Sequence, residues 1–448
     1  MTFQLLWTDK CFLTLLVLGC IMTLASLRKR HIRMSFAIIL HRPLAVSAGI
    51  VLLFFLTIGV MDSIHINSLQ NGTESSESLL DKVLSPLGST YEKTYSAPLA
   101  LTMFVTETEL IDGVAKQVYP RLNYLPNSIQ TKADRDEIIK AVSSRSLKYA
   151  LFIVLGCWLV SIIIKISLHS GQVYALSATG VSALMTLGIL VFAVLFSYWI
   201  SRSLHLFGTG QIGQDIFYFS IKSIRTGLII GLLTTLFMLP LALFLGIAAG
   251  YFGGVIDDII QYIYTTLSSI PGVLLITASV LSLQTYIASH PDQFTTLAQS
   301  ADARLLALCL ILGVTSWTSL CRLLRAEALK LREVDYVTAA RAQGSNWFTI
   351  IRKHLLPNVM HIVVITLVLD FSFLVMAEAV LSYVGVGVSP MTISWGNMIN
   401  GARLELTRDP LVWWPMFAAF LLMFLLVLAI NLFADAVRDA FDPHQSNL

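Results

Sequence analysis

Two carboxylates, Asp370 and Glu378, stand inside the otherwise apolar stretch His361–Tyr383. Ionisable groups at membrane depth are costly and usually face a cavity or a partner. Eight residues make about two helical turns, so both would lie on one helix face. Such a pair could wall a translocation pathway and meet a cationic group on a substrate. It could equally serve helix–helix hydrogen bonding at a subunit interface. The neighbours of Glu378 favour the structural role, and Asp370 fits either. A second concentration of chemistry lies just before them, the polar, basic stretch Asp335–Asn358. The chain has no G-x-x-x-x-G-K-S/T phosphate loop, no H-E-x-x-H, no G-x-S-x-G and no paired-cysteine motif. No catalytic residue, cofactor site or metal site is therefore expected in it. His205 has no second metal ligand at a useful spacing. Asp257 and Asp258 follow a glycine turn and read as an N-terminal helix cap. Cys11, Cys20, Cys157, Cys309 and Cys321 lie in or beside apolar segments and read as buried free thiols.

The elements that would position these groups are membrane helices. The 448 residues are 56% hydrophobic and 13% charged, with mean hydropathy +0.75. Soluble domains carry about 25% charged residues. The net charge of +3 gives no reason to expect a nucleic-acid partner. Apolar runs predict nine spans, roughly 11–27, 43–61, 149–168, 181–200, 225–250, 258–282, 303–323, 360–383 and 412–434. The basic cluster Arg28–Arg33 follows the first span, which the positive-inside rule places in the cytoplasm, with Met1 outside. Counting onward, 62–148 falls outside and the basic 324–359 loop and the C-terminus fall inside, so two clusters agree on one topology. Within 62–148, Leu101–Val105 alternates like a strand and Asp134–Leu147 reads as a helix.

The stretch 335–358 is built as an ordered lever. Ala339, Ala340 and Ala342 favour a helix that allows close approach. Gly344 permits a sharp turn, Ser345 or Asn346 can cap a second helix over Trp347–Leu355, and Pro357 is expected to end it with Leu356 extended. The pattern fits two arrangements. One is an amphipathic pair lying on the bilayer, with Trp347, Phe348, Ile350 and Ile351 dipped in and Arg352 and Lys353 on headgroups. The other is a lever offered to a partner.

The residue order resembles the coupling motif of ATP-binding-cassette (ABC) importer permeases, E-A-A-x-x-x-G. Ala339-Ala340-Arg341-Ala342-Gln343-Gly344 matches, with Thr338 at the acidic position. The peptide branch resembles D-Y-V-x-A-A-R-A-x-G followed by H-x-L-P-N, matched by His354, Leu356, Pro357 and Asn358. Further matches follow in order: His205-Leu206-Phe207-Gly208-Thr209, Arg225, Gly250-Tyr251-Phe252-Gly253-Gly254 with Asp257, Pro271, Leu381-Ser382-Tyr383-Val384-Gly385-Val386-Gly387, Ser394-Trp395-Gly396, and Val437 to Pro443. The external G-T-D-x-x-G-R-D becomes Gly208-Thr209-Gly210-Gln211-Ile212-Gly213-Gln214-Asp215. Tyr262 and Thr265 also replace charges, and Ala434 replaces a glycine.

Over 204–443 the chain thus resembles the C-type permease subunit of dipeptide and oligopeptide ABC importers. The resemblance implies an all-α polytopic membrane protein: a type I permease core of five to six spans, preceded by three to four additional N-terminal spans. The expected organisation is 1–61 spans, 62–148 extracytoplasmic insertion, 149–203 additional spans, and 204–443 permease domain with coupling segment 335–358. Tyr336, Ala339, Ala340, Arg341, Gly344, His354 and Pro357 would contact an ATPase, and Asp370 and Glu378 would belong to the pathway or gate. Implied partners are a B-type permease, two ABC ATPases that bind ATP and Mg, an extracytoplasmic substrate-binding protein, and membrane lipid. The location would be the bacterial cytoplasmic membrane. Three other readings stay open: import of nickel or another small ligand, secondary transport driven by an ion gradient, and a membrane anchor or sensor whose business is the 62–148 segment.

Overall fold

The computed structural model describes residues 2–4, 6–28, 30–70, 73–88, 90–111, 114–168, 177–290 and 296–441. Its helices are α1 (Trp7–Ser26), α2 (Arg30–His41), α3 (Pro43–Ser63), α4 (Leu79–Val83), α5 (Ser85–Gly88), α6 (Lys132–Leu168), α7 (Ala178–Ile200) and α8 (Ile216–Phe252). They continue with α9 (Gly254–Ser269), α10 (Gly272–Ser289), α11 (Leu297–Arg332), α12 (Asp335–Ala342), α13 (Trp347–Ile350), α14 (Leu356–Val384), α15 (Trp395–Ala402) and α16 (Trp414–Phe441). Among the described residues nine helical segments are long and apolar enough to cross a membrane, one for each expected span and in the same order. The basic Lys29, and Asp442 and Pro443 of the C-terminal motif, lie outside the described residues.

Several spans differ from expectation in extent, and α8, α11 and the segment ending in α14 run longer than expected. The helix expected at Asp134–Leu147 is continuous with the span after it, forming the 37-residue α6. The run 258–282 is broken at Ile270 and Pro271. A residue before proline is pushed out of the helical region, and Ile270 is accordingly extended (φ −86°, ψ 129°). Only α10 beyond the break is a candidate span. The short α9 before it carries one apolar and one polar face.

The chain divides into two units. The first comprises residues 1–4, 36–225 and 393–433. Strand β1 (Thr2–Gln4) pairs antiparallel with β2 (His65–Gln70), and β2 with β3 (Thr73–Ser78). Since β2 directly follows α3, this pairing puts the chain start at the same end of α3 as the insertion. A hairpin of β4 (Glu107–Ile111) and β5 (Val114–Val118) stands alone as a second sheet. The strand expected at Leu101–Val105 does not form. There the backbone bonds irregularly, Met103 N to Pro120 O at 2.8 Å and Phe104 N to Tyr95 O at 2.8 Å, which leaves no ladder. Buried Met103, Leu122, Ile129, Ile200 and Leu204 form a core beneath this segment.

The second unit comprises residues 5–35, 226–392 and 434–448. Helices α8 and α11 pack closely through small residues. A Cβ on Gly246 would lie 2.8 Å from the Cys321 carbonyl, and one on Gly250 2.5 Å from the Ala328 Cβ. Where lipid removes much of the hydrophobic drive, such backbone approach supplies van der Waals contact. Cys309 and Cys321 are buried free thiols as expected, whereas Cys20 and Cys157 are free and exposed. Asp257 does not cap α9. The cap position is Gly253, and Asp257 lies in the first turn, where Arg325 of α11 donates to both its oxygens at 2.5 and 2.7 Å. The Arg325 hydrogen bond holds this carboxyl below the usual range.

Candidate functional site

In the second unit the segment 335–358 is anchored on one side and bare on the other. Val337, Ile350 and Leu355 are fully buried in a cluster with Trp317, Leu320 and Leu324. Each such side chain contributes about 1.5–3 kcal/mol relative to exposure, enough to fix a short segment against its helices. Burial of Ile350 in protein removes it from the set expected to dip into a bilayer. Tyr336, Ala339, Arg341, Gly344, Trp347, Phe348 and Pro357 remain exposed. Ala340 packs partly against the cluster, and Arg341 lies over the Tyr251 ring at 5.6 Å.

The turn has the geometry that the glycine suggests. Gly344 has φ +78°. Its N–H donates to Arg341 O at 3.0 Å, and the Ser345 N–H donates to Ala340 O at 3.1 Å. This is the paired-bond helix terminus that a left-handed glycine completes. Asn346 takes the N-cap position of α13, though without a side-chain cap bond.

Pro357 does not stop the second helix. A π-turn over Ile351–Leu355 joins α13 to α14, and Leu356 is helical (φ −53°, ψ −47°). Proline is tolerated in a first helical turn because its missing N–H is not required there. Trp347–Val384 is therefore one 38-residue rod, about 57 Å long at 1.5 Å per residue. Around the joint, the Asn358 amide donates to the Tyr336 hydroxyl at 2.8 Å, and the Tyr336 and His354 rings lie 5.8 Å apart. Of the seven residues suggested by the motif, the structure brings Tyr336 and His354 together at this joint.

Asp370 and Glu378 ride on this rod in different surroundings. Glu378 is buried and accepts from the Ser382 hydroxyl at 2.8 Å. Asp370 is half-buried and has no ion pair or hydrogen-bond partner among the described residues.

In the first unit the structure reveals a cluster that sequence reasoning missed. His205 is buried between two carboxylates. Its Nδ1 lies 2.6 Å from Asp215 Oδ2, and its Nε2 lies 3.8 Å from Glu92 Oε1. Glu92 also accepts the Asn123 and Tyr124 amides at 3.0 and 2.8 Å. Asp215 in turn caps α8 by accepting from Tyr218 N at 2.9 Å. Burial alone would lower the His205 pKa, but Asp215 and Glu92 outweigh it and raise it to about 9. Burial pushes the Glu92 carboxyl up, but His205 and the two amides hold it below the usual range. A second tie runs from Asp81 to Lys222 at 2.6 Å, and a third from the Thr209 hydroxyl to Thr94 O at 2.8 Å. The insertion is thereby fastened to the start of α8.

Gly213 closes this arrangement. Its φ is +75°, and a Cβ would lie 1.7 Å from the Glu92 carbonyl oxygen. Gly213→Ala is expected to destabilise this unit by about 2–4 kcal/mol. An apparent melting temperature in detergent equal to that of the parent protein would contradict this.

A family profile described as "Binding-protein-dependent transport system inner membrane component" matches residues 242–447. The dipeptide transport system permease protein of Lactococcus lactis is 31% identical over 242 residues, covering 54% of this chain and 64% of that protein. The glutathione transport system permease protein of Pectobacterium atrosepticum is 31% identical over 241 residues, 54% of this chain and 73% of that protein. The oligopeptide transport system permease protein of Mycobacterium bovis is 30% identical over 244 residues, 54% and 77% respectively.

Proposed function

The chain belongs to the family of binding-protein-dependent transport system inner membrane components, and we propose that it is one permease subunit of an ATP-driven importer of di- or oligopeptides. It would pair with a B-type permease to enclose the pathway. Two separate ABC ATPases, binding ATP and Mg, would dock on the exposed face of 335–358. A binding protein would deliver substrate at the opposite side. Met1 would lie outside and the C-terminus in the cytoplasm of a bacterial inner membrane.

The observation that carries this reading is the continuous rod Trp347–Val384. A push on the bare face near Gly344 reaches a segment locked to the core by Val337, Ile350 and Leu355. Helical backbone then continues through the π-turn into the span bearing Asp370 and Glu378. Closure of an ATPase pair would thus tilt a span as a rigid body. Beside Asp370, α14 exposes Leu369, Phe373, Met376 and Val380 at helical spacing. An unpaired carboxylate edging an apolar stripe suits a pathway formed with a second subunit.

The relatives' names supply the peptide substrate class. The test is reconstitution of the chain with its companion subunits in vesicles, with the ligand of the purified complex identified by mass spectrometry. Peptide uptake is expected to require ATP and to survive dissipation of ion gradients. Uptake that ignores ATP and collapses with an ionophore would replace this reading with secondary transport, and a bound nickel ion would replace the substrate class.

A further inference from the structure

Helices α6 and α7 form a hairpin whose surface the transport reading does not use. Between them opens an apolar groove of about 490 Å³, walled by Leu147, Leu151 and Val154 of α6 and Met185, Ile189 and Phe192 of α7. None of the most apolar stretch of α7 is buried in the protein, whereas half of that of α11 is. The groove therefore faces bilayer.

One end of the hairpin is marked by interfacial aromatics and cations. Arg145 lies over the Trp199 ring at 4.6 Å, and Arg202 lies over the Tyr198 ring at 4.6 Å. Trp and Tyr settle where apolar and wet regions meet. A second, polar cavity of about 130 Å³ opens at this level, with Lys82, Ser85, Tyr198, Ser201 and Arg202 in its wall. Among the described residues the buried Ser201 hydroxyl has no hydrogen-bond partner. Among the described residues, none of Lys82, Arg145 and Arg202 has an acidic partner.

The two features meet at the end of α7. Met185, Gly188, Phe192, Leu195 and Trp199 follow at spacings of three and four, which is one stripe of α7. Arg202 lies in the turn just after the helix and lines the polar cavity.

We propose that this hairpin binds one anionic phospholipid, with an acyl chain in the α6–α7 groove and the phosphate held by Arg202 and Lys82 below the Tyr198 hydroxyl. Charge selects this occupant. An apolar partner helix would fill the groove but leave three cations unneutralised beside it. Arginine's planar fork suits phosphate oxygens, and lysine adds a point charge.

The test uses the full-length chain in detergent, titrated with phosphatidylglycerol and with phosphatidylcholine and followed by native mass spectrometry. Phosphatidylglycerol is expected to bind at least tenfold more tightly. Arg202→Gln and Lys82→Gln should each cut that preference about fivefold, as loss of one cation near a phosphate surface does. Retained phosphatidylcholine binding and an unchanged melting temperature would show that these variants fold. Met185→Trp fills the groove and should weaken both lipids. Equal affinity for the two lipids, a preference indifferent to both cation substitutions, or unchanged binding by Met185→Trp would each overturn the proposal. So would Arg202-dependent binding of inorganic phosphate that persists without lipid, since the cavity would then be a free-anion site.

Discussion

Gly344→Asp is expected to abolish ATP-dependent uptake and to lower ATPase co-purification more than a hundredfold while the chain still folds and inserts. The two effects separate because of where the residue stands. Nothing lies within 4 Å of the position a Cβ would take, so the new side chain meets no atom of its own chain. The left-handed conformation costs about 1–2 kcal/mol for an L-residue, and Asp is among the side chains that tolerate it. At a docked interface the same carboxylate becomes a buried, unpaired charge. That costs about 3–5 kcal/mol, or more than two powers of ten in affinity. Gly344→Ala carries the backbone cost without the charge and should fall between. The measurement is co-purification of the ATPases with a tagged permease, beside uptake by reconstituted vesicles. Parent-level co-purification and uptake by the aspartate variant would remove 335–358 from the ATPase interface.

What could be read from the sequence follows the range of the interactions. The spans were legible because apolar runs of about 20 residues announce themselves. The turn at Gly344 was legible because its helix formers, glycine and following polar residues act within a few positions. Pro357 was misread by a local rule applied at the wrong place. A π-turn before it made Leu356 the start of a helix and spared the proline's missing donor. Leu101–Val105 had strand-like alternation but no neighbouring strand, and alternation without a ladder does not make a sheet. The two charged pairings were the least legible. Asp257 is paired by Arg325, 68 residues later, and Glu92 lies more than a hundred residues before His205. Asp215 sits near enough to His205 to suggest a pair, yet nothing in spacing points to Glu92. The helix, glycine turn and second helix at 335–358 were readable from their residues. Their attachment to Asp370 through one unbroken rod was not, because the proline hid it.

Stability of the first unit is expected to depend on pH through His205, and His205→Gln should remove that dependence. The imidazole titrates near 6.5 when free and at about 9 in place, because Asp215 and Glu92 outweigh the opposing effect of burial. A folded pKa raised above the unfolded one contributes stability that is fully present below about pH 6.5 and is lost as pH rises through about 9. The difference corresponds to on the order of 3 kcal/mol. The other groups facing the ring leave this window alone. The Tyr124 ring lies 4.7 Å away, tilted by 31°, but its hydroxyl is pushed up to about 12 by burial and by Asp215. Apparent melting temperature should therefore fall from pH 7 to pH 10 in the parent protein. In His205→Gln it should start lower and stay flatter, since Glu92 and Asp215 then face each other without a cation at every pH. Glu92→Gln should keep the ring beside Asp215 and shift the fall toward lower pH. A parent-minus-variant difference that stays constant from pH 6 to pH 10 would show that the imidazole fills space without carrying charge. The ties at Asp81 and Thr209 would then be what fastens the insertion to α8.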